Sequence, residues 1–229
     1  MPENPRLDVQ QLVRTALDKA LNAQQPLAVE NIARLRRLHP DKSPTRMVAY
    51  VGKIYLSAVT VTGASAGAAA IVPNVFVQVP VAVADLLTFL EASVLYTLSV
   101  AEIHGVDLDD IERRRFLVMT ALLGDSAATA VVEPLLGRSV PYWGKKVVES
   151  IPMTVINRAN KILGPRFVTK YGTQQGVLVL AKQIPFAIGV GVGAAGNHVF
   201  GRLTVGATKR ILGVAPATWN TADNMEFMP

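Results

Sequence analysis

The amino-acid sequence predicts an all-α protein, a helical bundle containing apolar, Gly/Ala-rich helical hairpins and associated with a membrane. Three observations carry that expectation. Half of the 229 residues are apolar and only 17% are charged, with a mean hydropathy of +0.32, between ordinary soluble chains and polytopic membrane proteins. From residue 7 onward the apolar residues recur at helical spacing. Two stretches, 54–84 and 183–201, contain no Asp, Glu, Lys or Arg.

Composition also removes function classes. With no cysteine there are no disulfides, thiolate metal sites or cysteine nucleophiles. Aromatic residues make up 6% of the chain, too few for the stacking platforms that hold single-stranded nucleic acid, so no nucleic-acid partner is expected. Residues 1–17 alternate charged and apolar side chains, unlike a secretory signal, which places the expected protein on the cytoplasmic side.

In chain order, Leu12, Val13, Ala16, Leu17, Ala20 and Leu21 form one stripe and predict a first helix over 7–24. Pro26 then serves as the first residue of a second helix, with Ile32, Leu35 and Leu38 on one side and Arg34, Arg36 and Arg37 around the other. These N-terminal amphipathic basic helices occupy 1–46. His39-Pro40-Asp41-Lys42 breaks the pattern, and Ser43-Pro44 gives an N-cap with proline behind it. The uncharged run 54–84 is long enough for one bilayer crossing, but its polar residues and prolines favour a close-packed hairpin in which Gly63 and Gly67 let helices approach.

A helix over 81–103 follows, with Asp85, Thr88, Glu91, Tyr96, Ser99 and Glu102 on one arc. Asp107 to Glu112 is an acidic helix start that complements the helix dipole, succeeded by Arg113-Arg114-Arg115 and an apolar helix from Phe116. Residues 138–182, with prolines and glycines throughout, predict short helices and turns. Residues 183–201 form a glycine-rich apolar segment in which Gly189, Gly191, Gly193 and Gly196 pack helices and Asn197 caps or hydrogen-bonds across the contact. Residues 202–213 are helical, and 214–229 read as a disordered tail.

Charge is unevenly spread. Residues 138–182 carry eight basic side chains and one acidic, and no acid occurs between Glu149 and Asp223. Arg34, Arg36, Arg37, Lys145, Lys146, Arg158, Lys161, Arg166 and Lys170 are therefore the candidate contacts to anionic membrane lipid, each contributing about 1 kcal/mol near such a surface.

Two motifs suggest chemistry. Gly191 to Gly196 fits G-x-G-x-x-G, but a dinucleotide site needs an acid about 20 residues on, and the first is Asp223. Gly63-Ala-Ser65-Ala-Gly67 fits G-x-S-x-G, with Asp125 and His198 downstream in the order that α/β-hydrolases use, so a serine hydrolase through Ser65 is the alternative class. No spacing of His39, His104 and His198 with acids makes a metal site, and no cofactor is implied.

Val72-Pro73 leading into Val83-Ala-Asp85-Leu, then Ala101-Glu-Ile-His-Gly105-Val-Asp107, and Gly191 to Arg202 together resemble the EcsC family of bacterial proteins. The likeness covers roughly 54–213, within an EcsC-like domain at 47–213, and departs from the family at His104, where an aromatic often sits. It implies a helical protein, from a family named for an operon encoding an ABC transporter, with no settled biochemical activity. The expected protein is thus a non-enzymatic, membrane-associated helical module on the cytoplasmic face, peripheral or partly inserted, which meets anionic lipid or a membrane complex such as a transporter and is open to oligomerisation. A soluble bundle acting as an interaction module is the remaining reading.

Overall fold

The computed structural model describes residues 9–69, 75–124, 130–131, 133–136, 145–181 and 187–219, with side chains placed in 10–65, 83–124, 130–131, 133–135, 148–172 and 194–219. Eight helices occur among the described residues, with no strand: α1 Val9–Leu38, α2 Pro44–Ala69, α3 Val75–Ile103, α4 Ile111–Leu123, α5 Glu133–Leu136, α6 Lys145–Ser150, α7 Met153–Ala181 and α8 Ala187–Leu212. The chain is all-α.

Helix α1 is one 30-residue helix that runs through Pro26, where the sequence predicts two. Pro26 is exposed, while Val13, Leu17, Ala20, Leu21, Ala28, Ile32 and Leu35 form one buried stripe on both sides of it. An interior proline costs about 3 kcal/mol, and burial of Ile32 and Leu35 alone returns about 1.5–3 kcal/mol each. Burial therefore carries the helix through the proline.

The same competition corrects the expectation for 138–182. Residues from Met153 form a single 29-residue helix through Gly164-Pro165, because Ile156, Ala159, Leu163, Phe167 and Tyr171 make one continuous buried stripe while Pro165 faces solvent. Likewise α8 passes Arg202 without a break and ends at Gly213, whose φ of 74° suits glycine.

Helix α3 is the centre of the molecule. It packs against α1, α2, α4, α7 and α8. Ser93, Val94, Thr97, Leu98, Val100 and Ala101 are all but fully buried. Tyr96 and Ser99, which the sequence places on one arc with Asp85, Thr88, Glu91 and Glu102, are buried too, so of that arc only Thr88 and Glu91 are exposed. Ser93 and Thr97 stay in this core because their hydroxyls donate to the carbonyls of Phe89 and Ser93, one turn back.

Helices α2 and α3 are antiparallel: Tyr55 Oη lies 2.7 Å from Ser93 Oγ, and Gly52 faces the ring of Tyr96. Helices α2 and α8 are also antiparallel, since Thr60 meets His198 while Gly201 sits against Leu56 and Val59. Helices α4 and α7 run parallel, joined by Asn160 to Glu112 at one end and by Tyr171 Oη to the Leu122 carbonyl at the other. Helix α1 lies antiparallel to α7, with Gln10 beside Gly172.

The start of α4 ties these pairs together. Asp110 is its N-cap, accepting from the backbone N–H groups of Glu112 and Arg113. The three arginines that follow reach three places. Arg113 donates to the Val148 carbonyl at the end of α6 and lies 3.7 Å from Met153 Sδ. Arg114 donates to the Leu21 carbonyl of α1 at 2.8 Å and to the Asp109 carbonyl at 3.2 Å. Arg115 pairs with Glu112 and, at 3.0 Å, with Asp18 of α1. Burial works against the charge of Arg115, but its contacts with Glu112 and Asp18 outweigh that and hold its pKa above the ordinary value.

The tail expectation is corrected for its described part. Trp219 donates from Nε1 to the Lys42 carbonyl at 2.9 Å, and the Arg36 guanidinium lies 4.3 Å from its ring centre. Residues 213–219 thus strap the corner between α1 and α2, and 220–229 lie outside the described residues.

Arg114→Ala is expected to lower the unfolding free energy by about 2–3 kcal/mol, since it removes hydrogen bonds from a charged donor to two carbonyls. The urea midpoint should fall with the slope unchanged. An unchanged midpoint would show that the hydrogen bond from Arg114 to α1 contributes nothing to holding α1 on α4.

Candidate functional site

The contacts between α2, α3 and α8 fix how their ends are arranged. Thr60 Oγ1 lies 3.0 Å from His198 Nδ1, and Asn197 Nδ2 donates to Asp85 Oδ1 at 3.0 Å. Beyond this polar level three helix ends continue in the same direction: 61–69 of α2, 75–84 of α3 and 187–196 of α8. At 1.5 Å per residue they extend about 13–15 Å further. None of the three contains Asp, Glu, Lys, Arg or His. These described parts of the two uncharged stretches are thereby gathered at one end of the described helices.

Glycine explains how closely these helices approach. A Cβ built on Gly201 would lie 3.0 Å from Leu56 Cδ2 and 3.0 Å from Val59 Cγ2, tighter than packed side chains accept. Gly63 is buried and Gly196 half-buried, while Gly67, Gly189, Gly191 and Gly193 lie within the helical ends, where only the backbone is described. Gly201 is a contact that the sequence reading missed. The only sequence signal was its place next to Arg202 at the end of an uncharged run.

The outer faces of this pair are apolar as well. Ile54 and Val61 on α2 are 48% and 63% exposed, and Val199 and Leu203 on α8 are 55% and 59% exposed. Spacings of seven and four residues put each pair on one side of its helix. The nearest exposed cations on these helices are Lys53, about 10 Å below Thr60, and Arg202, about 7 Å below Asn197, by helical rise. Neither was singled out from sequence as a candidate lipid contact.

Of the nine basic residues singled out from sequence, the seven with described side chains lie on α1 and α7. Arg34 and Arg37 are exposed and Arg36 is half-buried under Trp219, all at the corner from which α2 departs. That corner is the opposite end of α2 from the uncharged tip, about 39 Å away along a 26-residue helix. Arg158, Lys161 and Arg166 are exposed along α7, and the side chains of Lys145 and Lys146 lie outside those described. Lys170 is engaged within the fold. Its Nζ donates to the carbonyls of Leu122 at 2.8 Å and Leu123 at 3.3 Å, finishing α4, and burial pushes its pKa down.

The hydrolase alternative loses its geometry. A nucleophile elbow is a sharp strand-to-helix turn, and here Gly63 to Gly67 lies within α2, with the Ser65 hydroxyl donating to the Val61 carbonyl at 3.0 Å. His198 is engaged with Thr60, five residues short of Ser65, and Asp125 lies outside the described residues. Among the described residues no group of three His, Asp or Glu side chains is placed to hold a metal ion.

Two helical stretches, Pro44–Ser65 and Val83–Ile103, are long and apolar enough to cross a membrane, with mean hydropathies of 1.3 and 1.5. The second is 67% buried within the protein itself. No protein-family model, curated protein or solved structure matches the chain.

Gly201→Val should lower stability by about 1–3 kcal/mol through overpacking against Leu56 and Val59. Thermal unfolding of Gly201→Val beside Gly206→Ala separates this effect from the general gain of replacing a helical glycine. Equal melting temperatures for the two variants would remove Gly201 from the helix contact.

Proposed function

We propose that this chain is a non-enzymatic, membrane-associated helical protein that seats the uncharged ends of α2, α3 and α8 in an anionic leaflet. The observation that carries the reading is the convergence of three charge-free helix ends at one pole, with Lys53 and Arg202 the first exposed cations behind them on α2 and α8. A projection of about 15 Å matches half of a hydrocarbon core of about 30 Å, so the tip enters one leaflet. Apolar area then supplies insertion, and the cations meet headgroups at about 1 kcal/mol each.

The resemblance to the EcsC family supports the same reading, because Asp85 of its first block and Asn197 of its last are hydrogen-bonded at the level where the tip begins. On this view the membrane is the cell membrane seen from the cytoplasm. The distant corner with Arg34 and Arg37 remains in water and is the surface left for a membrane complex.

The test combines flotation with depth. The purified protein is expected to float with anionic vesicles and to remain bound at high salt, since screening weakens headgroup attraction and leaves apolar insertion largely intact. The chain has no cysteine, so single cysteines label cleanly. An environment-sensitive dye on Ser65→Cys should shift to the blue with vesicles and be quenched by lipids brominated near the acyl midpoint, whereas the same dye on Asn157→Cys should not change. Flotation lost at high salt with no change at position 65 would leave only a basic surface contact. Absence of flotation would return the protein to the soluble-bundle reading.

A further inference from the structure

On the flank of the molecule, away from the tip, α1, α4 and α7 enclose a cleft of about 390 Å³, within the range of small-molecule sites. Its apolar wall is Leu17, Met119, Phe167 and Val168, each at least nine-tenths buried. Its rim carries three cations, Arg14, Arg115 and Lys161, against one acid, Asp18, which Arg115 already holds. Among the described residues Arg14 and Lys161 are paired with no carboxylate, and both are exposed.

The cleft also contains a polar group without a partner. Asn160 lines it and is 8% exposed. Its amide Nδ2 donates to the Glu112 carbonyl at 2.9 Å and to Glu112 Oε2 at 2.8 Å. Both of those atoms are acceptors, so the orientation of the amide is fixed by its neighbours. The Asn160 Oδ1 atom is left buried with no hydrogen-bond donor, an omission that costs about 1–3 kcal/mol in a folded protein. Beside it, Pro165 has no N–H for the Lys161 carbonyl one turn back, and a Cβ built on Gly164 would meet nothing within 4 Å. The wall of α7 therefore has open space at Gly164 and one unpartnered acceptor, Asn160 Oδ1.

We propose that this cleft binds a single-chain anionic amphiphile with a hydroxyl next to its acidic group. The chain lies along Leu17, Met119, Phe167 and Val168, the acid meets Arg14 and Lys161, and the hydroxyl donates to Asn160 Oδ1. A phosphate monoester of a monoacylglycerol has these three parts in this order. The inference does not depend on insertion of the tip, because the cleft lies between other helices and is tested without vesicles.

Calorimetric titration of the full chain with decanoyl-glycerol 3-phosphate, kept below its micellar concentration, is expected to show one saturable site. Decyl phosphate, which lacks the hydroxyl, should bind about tenfold more weakly, one hydrogen bond's worth. Glycerol 3-phosphate, which lacks the chain, should not bind measurably, and this arm separates an amphiphile site from a site for free phosphate. Gly164→Leu fills the open space and should weaken the amphiphile at least tenfold with the helical circular dichroism intact, and Lys161→Gln should weaken it severalfold. Equal binding by Gly164→Leu, or no saturable binding by the parent chain, overturns the proposal. So does glycerol 3-phosphate binding as tightly as the amphiphile.

Discussion

The burial of α3 is the constraint on which the rest of the structure depends. From Ala92 to Ala101 this helix has no charged residue, and along most of that length it has no solvent face. A helix that is apolar all round must be covered all round, by protein or by lipid. Five helices supply the cover, and each of their positions follows from it. Helices α2 and α8 close one side, tightly because Gly201 removes the side chain that would separate them. Helix α1 closes another and is kept there by Arg114 and Arg115 at the start of α4.

Several polar groups enter this core where the geometry answers them. The Tyr55 and Ser93 hydroxyls share a hydrogen bond while the rings of Tyr55 and Tyr96 stack at 4.6 Å, and burial pushes the Tyr55 hydroxyl pKa up to about 12. Such pairs add little net stability but are costly to leave half made, so they favour one register of α2 on α3 over its neighbours. The Asp85 to Asn197 contact does the same for α3 and α8 at the level where the uncharged ends begin. Tyr96 Oη and His104 Nε2 have no partner in the described structure.

Much of this was legible in the sequence, and what was not has a common cause. The helix starts at Ser43-Pro44 and at Asp110 follow from local capping chemistry, which needs no tertiary information. The two proline positions misled because a local rule about proline was set against a burial stripe whose strength depends on what covers it. Whether the arc with Tyr96 and Ser99 meets water or other helices was not legible for the same reason: a helical wheel shows which residues share a side, and only the neighbouring helices decide whether that side is wet. The Arg113 to Arg115 run gave no sign of its three targets, which come from α1 and from the junction of α6 with α7. Lys170 was read as surface charge, although the two terminal carbonyls of α4 claim it. Of the candidate site, the uncharged segments were visible in the letters, while their convergence required the antiparallel packing of α2 on both α3 and α8.

That convergence limits how far the protein can enter a bilayer. A full crossing by α3 over 83–103 would carry Asp85, Glu91 and Glu102 into or through the hydrocarbon, at about 2.5–3.5 kcal/mol for each charge near its centre. A crossing by α2 over 44–65 would add Arg46 and Lys53. Either crossing would also break the Tyr55 to Ser93 contact between α2 and α3 and replace apolar contacts with lipid contacts of equal quality, so nothing offsets the charges. Entry of the tip alone moves no charge and breaks none of these contacts. On the proposed reading, the covering of α3 and a shallow insertion are two results of one arrangement: the apolarity that looks like a transmembrane span is used within the protein, and only the ends that extend past Asp85 and Thr60 would be left for a membrane.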